Sequence, residues 1–106
     1  MSPRPLGFIT ARVLLAIQHR HRFGADIMDA TGHGGGTVYK VLRRVEQRGL
    51  VEGRWEDPQL AEAERRPRRR FYRLTATGEA EIASALRRYQ GLAGHTPGEI
   101  GPEHAT

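Results

Sequence analysis

"HGGGTVYKVLRRVEQRGLVEGRWE", residues 33–56, changes its hydrophobic period part-way along, and that change decides the fold. Val38, Val41, Leu42 and Val45 follow the i, i+3, i+4, i+7 spacing that lines one face of a helix. Gly49 supplies a C-terminal cap. From Leu50 the pattern alternates instead: Val51, Gly53 and Trp55 share one face and Glu52 and Arg54 the other, which predicts a strand. With the apolar stripe turned inward, Thr37, Lys40, Arg44 and Gln47 are pushed outward, flanked by Arg43 and Arg48. Gly34, Gly35 and Gly36 leave the start of the helix without side chains, so its amides are able to approach a phosphate. The same glycines read equally well as a flexible turn.

Working toward the N-terminus, "FGADIMDATG" (23–32) predicts a short helix with Ile27, Met28 and Ala30 as its apolar positions and Gly32 as its stop. "TARVLLAIQHR" (10–20) places Val13, Leu14 and Ile17 on one side of another, with Thr10 as the expected N-cap. Toward the C-terminus, Asp57-Pro58 and Pro67 mark an irregular stretch. "RRFYRL" (69–74) then alternates again, Tyr72 and Leu74 against Phe71 and Arg73, and pairs with the first strand as a hairpin with a long tip. Trp55 and Tyr72 are expected to pack in the core and across the strands. Thr75 caps a fourth helix over 77–90, with Glu79 and Glu81 near its positive end and Arg87 and Arg88 near its negative end. Ile82, Leu86 and Tyr89 form its apolar stripe. Residues 93–106 have the Gly, Pro and small-residue composition of a disordered tail.

A chain of 106 residues makes one domain. It has 17 basic and 12 acidic residues, a net charge of +5, and Lys40 is its single lysine. Arginine's planar fork suits phosphate and guanine, although an arginine-favouring codon composition explains the bias as well. There is no cysteine, so disulfides and thiolate metal sites are excluded. Neither a signal-peptide core nor a membrane-spanning stretch is evident, and the expected location is the cytoplasm. His19 and His21 lack a third metal ligand nearby, and Gly34-Gly35-Gly36-Thr37 lacks the lysine of a phosphate-binding loop. The sequence therefore predicts a protein that is not an enzyme and uses neither metal nor cofactor.

The charge falls where the elements make it useful. "RRPRRRFYRLT" (65–75) holds six arginines at the hairpin tip and in its second strand. Helix, helix, basic helix, strand, arginine-rich tip, strand and helix add up to a mainly α fold with a small β-hairpin, a winged helix-turn-helix. In that arrangement Arg65, Arg66, Arg68, Arg69 and Arg70 lie beside a duplex, on phosphates or in the minor groove, and affinity falls steeply with salt. An RNA-binding module and a protein-interaction adaptor are the alternatives.

"GTVYKVLRRVEQRGLVEGRWE" together with "RPRRRFYRLTATGEAE" resembles the PadR family of winged helix-turn-helix transcriptional regulators. The matching positions are Gly36 to Tyr39, Leu42 to Glu46, Gly49 to Val51, Trp55, Arg69 to Thr75 and Gly78. Phe23-Gly24-Ala25-Asp26-Ile27 stands where the family usually has His-Gly-Tyr-Glu-Ile. The resemblance implies a sequence-specific regulator of double-stranded DNA, a repressor by association, acting as a homodimer on a pseudo-palindromic operator. It implies a phosphate contact for Tyr39 and groove contacts for Thr37 and Lys40. Gly36, Arg43, Arg44, Gln47, Arg66, Arg68, Arg69 and Arg70 complete the expected DNA-binding set. Dimerisation is expected through the C-terminal helix with help from the first, using Leu14, Ile82, Leu86, Tyr89 and Leu92. The expected layout is an arm at 1–9, the DNA-binding domain at 10–75, a dimerisation helix at 76–92 and the tail at 93–106. No residue marks a small-molecule effector site.

Overall fold

The computed structural model describes residues 5–89, 91 and 92; the expected tail lies outside them. The order is α1 (Phe8–Gln18), α2 (Gly24–Thr31), α3 (Gly35–Gln47), β1 (Val51–Trp55), α4 (Pro58–Ala63), β2 (Arg70–Leu74) and α5 (Ala76–Arg88). It is mainly helical with a two-stranded antiparallel hairpin, a winged helix. No described helix is long and apolar enough to cross a membrane.

The core forms around α1, whose Ala11, Val13, Leu14, Leu15, Ala16 and Ile17 are all buried. Burial on nearly every side places α1 in the middle, with α2, α3, α5 and β2 packed around it. The start of α1 differs from expectation. Gly7 is the N-cap, and Thr10 lies in the first turn with its side chain buried. The helix begins earlier because Leu6 is already drawn into the core and fixes the approach of the chain.

α3 turns its four predicted apolar residues inward, and all are buried. Its C-terminus closes as a Schellman motif: Gly49 N–H donates to the Glu46 carbonyl (3.0 Å) and Leu50 N–H to that of Val45 (2.9 Å). Gly49 has φ +75°, where a side chain is strained. The following strand pairs Val51 with Leu74, Gly53 with Tyr72 and Trp55 with Arg70. A bridge on the other edge of β2 escaped the sequence reading: Phe23 pairs with Phe71, and Tyr72 N–H donates to the Arg22 carbonyl (2.8 Å). The segment leading into α2 thereby covers the free edge of β2.

The hairpin tip is a second correction. Residues expected to be irregular include the short helix α4. Asp57 accepts a hydrogen bond from Gln59 N–H (2.8 Å) and Pro58 occupies the first turn, the local chemistry of a helix start. At six residues, α4 is too short to reveal a hydrophobic period. The expected cap of the last helix is present, since Thr75 Oγ1 accepts from Gly78 N–H (3.0 Å). The same hydroxyl donates to the Gly49 carbonyl (2.6 Å), tying α5 to the end of α3.

Candidate nucleic-acid interface

α3 presents Gly36, Thr37, Tyr39, Lys40, Arg43, Arg44 and Gln47 to solvent. Every residue predicted to reach DNA from this helix is thus exposed. Its N-cap is Gly34, with no side-chain hydrogen bond to the first amides. On one flank, Ile9 and Thr10 of α1 border an open hollow with Thr37, Lys40 and Arg44. The wing borders the opposite flank.

Tyr39 makes that second connection. It is 49% exposed, and its ring lies across the start of α2, so that a Cβ at Gly24 would collide with the phenol. A side chain at Gly24 would therefore have to displace the Tyr39 phenol, while its own dihedral angles need no glycine. Tyr39 also lines a hollow of about 220 Å³ with Phe23, Gly24, Trp55, Arg68 and Arg69. α2, α3 and the wing meet at this hollow, which puts the exposed face of α3 and the wing arginines on one continuous surface.

Trp55 corrects the expectation of a buried anchor, being 53% exposed. It sits on the hairpin rung farthest from Val51 and Leu74. The guanidiniums of Arg68 and Arg70 stand over its ring at 5.5 and 5.3 Å in place of apolar neighbours. Tyr72 does pack as expected, at 7% exposed, and burial pushes its phenol up from the usual tyrosine range.

The arginine run separates into two kinds of side chain. Arg66 forms a two-pronged pair with Glu56, both contacts at 2.7 Å, and its Nε donates to Glu64 (2.9 Å). Arg70 pairs with Glu46 on α3 (2.7 Å), and Arg73 pairs with Glu52 on the neighbouring strand (2.6 Å). Arg68 and Arg69, and the exposed Arg65, have no carboxylate partner among the described residues. The Arg68 guanidinium donates to the Glu56 main-chain carbonyl (3.0 Å) beside Trp55, and that of Arg69 lies 4.3 Å from the centre of the Phe23 ring. Aromatic surface fixes these two cations without neutralising them.

Glu56, which holds the base of the arginine run, was missed by sequence reasoning. It is buried at 9% exposed, and the Arg66 guanidinium holds its carboxyl down to about 2 against the opposing effect of desolvation. Glu46, Phe23 and Gly24 were also missed. Only Gly24, at the start of a helix, carried a local signal.

The residues expected to dimerise divide in a similar way. Leu14, Ile82 and Leu92 have no exposed surface in the protomer. Leu86 and Tyr89 are half-buried beside them. Tyr89 donates its hydroxyl proton to the Leu6 carbonyl (2.7 Å), and its ring meets Phe8 edge-on at 5.3 Å. Phe8 is the large exposed apolar residue at this end. Among the described residues, no three His, Asp or Glu side chains converge to hold a metal ion; His21 instead meets Asp26 at 3.1 Å.

The crystal structure of smu.1704 from Streptococcus mutans UA159 is similar, with 22% sequence identity, a TM-score of 0.57 and 82% of each chain covered. At that identity the likeness concerns the fold. No curated protein matches the sequence. The model of the transcriptional regulator PadR-like family matches residues 13–84, from the middle of α1 through most of α5 and so more than half of the chain. α2, α3 and the whole wing fall within that match, and the chain belongs to the PadR-like family of transcriptional regulators.

Proposed function

We propose that this regulator binds double-stranded DNA sequence-specifically as a homodimer and represses transcription from a pseudo-palindromic operator. α3 enters the major groove, where Thr37, Lys40, Arg44 and Gln47 face base edges and Arg43 and Tyr39 approach the backbone. Arg68 and Arg69 bind phosphates or reach into the adjacent minor groove, with Arg66 and Arg70 behind them. The observation that carries this reading is the hollow shared by Tyr39, Trp55, Arg68 and Arg69, which joins the basic helix to unpaired wing cations.

Dimerisation uses the end of the molecule where α1 and α5 meet. Leu86 and Tyr89 contribute partly exposed surface, together with Phe8. Leu14, Ile82 and Leu92 form the buried layer beneath. Two copies about a two-fold axis match two half-sites one helical turn apart. The regulator acts in the cytoplasm, without a catalytic step or cofactor.

The test is selection of bound duplexes from a random library. A palindromic motif with half-sites one turn apart is the expected product. Equal recovery of all duplexes would remove sequence specificity from the reading, and recovery of single half-sites would remove the dimer.

A further inference from the structure

Glu56 touches three arginines of the run from a single position, the residue immediately after β1. Its Oε1 accepts from Arg66 (2.7 Å) and from the Arg69 main-chain N–H (3.2 Å), and its Oε2 accepts from Arg66 (2.7 Å). Its main-chain carbonyl accepts from the Arg68 guanidinium (3.0 Å), while its own N–H donates to the Arg69 carbonyl (2.8 Å). The Arg66–Glu56 pair closes the loop containing α4. It also brings the chain back into line for β2, one residue after the point where Arg69 is held.

We infer that Glu56 and Arg66 form a clasp that positions Arg68 and Arg69 for DNA, and that Arg66 is itself not a phosphate contact. The inference rests on the DNA-binding reading and narrows it. All three guanidinium nitrogens of Arg66 are already engaged: Nη1 and Nη2 with Glu56, Nη1 also with the Pro67 carbonyl (3.3 Å), and Nε with Glu64, which leaves one Nη2 N–H. A phosphate could take the fork of Arg66 only by displacing a two-pronged, largely desolvated pair. Arg68 and Arg69 need no such displacement. They do need a fixed backbone, because long side chains otherwise lose rotamer freedom on binding. An acidic residue buried in a DNA-binding wing then has a purpose that net charge alone does not supply.

Charge and geometry make opposite forecasts, which is the basis of the test. Glu56→Gln removes a negative charge, so electrostatics alone predicts tighter duplex binding, most of all at low salt. The clasp predicts several-fold weaker binding to the selected duplex, because glutamine offers one acceptor where the guanidinium fork needs two. It also predicts a shallower dependence of log K on log salt, by about 1 for each phosphate that the wing no longer neutralises. Arg66→Lys keeps the charge but not the fork. The clasp forecasts the same weakening for it, whereas a direct phosphate contact would tolerate lysine.

Amide hydrogen exchange supplies a readout that needs no DNA. In both variants the Arg69 amide should exchange faster while the amides of α1 and α3 stay protected. Tighter binding by Glu56→Gln, unaltered binding by Arg66→Lys, or unchanged exchange at Arg69 overturns the clasp. If the unaltered protein binds no duplex, the regulator reading falls and takes this inference with it. If the unaltered protein binds and Glu56→Gln binds more tightly, only the clasp is lost.

Discussion

α3 and the wing both carry arginine in excess, yet they use it differently. On α3 the helical period alone sorts the side chains: Val38, Val41, Leu42 and Val45 enter the core, and Lys40, Arg43 and Arg44 are left in water. On the wing, neither period nor spacing predicts which cation is free. Arg66, Arg70 and Arg73 are matched by Glu56, Glu46 and Glu52, while Arg68 and Arg69 rest on aromatic rings without a matching acid. A count of arginines therefore overstates the uncompensated charge of the wing. Charge that is paired inside the protein neutralises its partner first and DNA second.

The comparison breaks most completely if α3 loses its seat. Leu42→Ala should destabilise the fold by about 2–5 kcal/mol, as expected for a cavity in a small core. Chemical denaturation measures this, and a loss below about 0.5 kcal/mol, the size expected at an exposed site, would show that α3 is not held by its apolar face. The next largest effect concerns the free wing cations. Arg68→Ala combined with Arg69→Ala should weaken binding to every duplex and lower the salt slope by about 2. Titrations at several salt concentrations measure it, and an unaltered slope would remove the wing from the interface.

Lys40→Ala sharpens the contrast from the other side. It should cost about 1–3 kcal/mol of discrimination between the preferred duplex and one altered at a single position. Its effect on non-specific duplex should be smaller. Competition binding with paired duplexes gives both values, and uniform weakening would make Lys40 a phosphate contact.

The smallest expected effect is on pH dependence. The folded Glu56 carboxyl is held down at about 2 by Arg66, below its unfolded value of about 4.3. Its contribution to stability is therefore complete above about 4.3 and is lost as pH falls from there through about 2. At neutral pH Glu56 should add no pH dependence to wing order. Amide signals of residues 66–70 followed through an acid titration test this, and a transition near the unfolded value in the folded protein would contradict the pairing.

Most of the fold was legible because it rests on near-neighbour physics. The i, i+3, i+4, i+7 stripe of α3, the alternation of β1 and β2, Gly49 after α3 and Thr75 before α5 are patterns confined to a few residues. The exposed set on α3 followed directly from that stripe. α4 was legible in principle through Asp57 and Pro58, but its length hid it. Thr10 misled because a good capping residue is no guarantee of a helix start when an apolar residue upstream is drawn into the core.

The sequence by itself determined the order of helices and strands, the basic outward face of α3 and the excess of arginine at the wing. Tertiary structure alone decided which arginines stay unpaired, that Trp55 faces solvent, and that Tyr39 lies over Gly24. The reason is distance along the chain. Arg70 and Glu46 are 24 residues apart and Arg66 and Glu56 are 10 apart, so folding must bring each carboxylate to its guanidinium. Local preference carries no record of such meetings, and the chemistry of the wing is made of them.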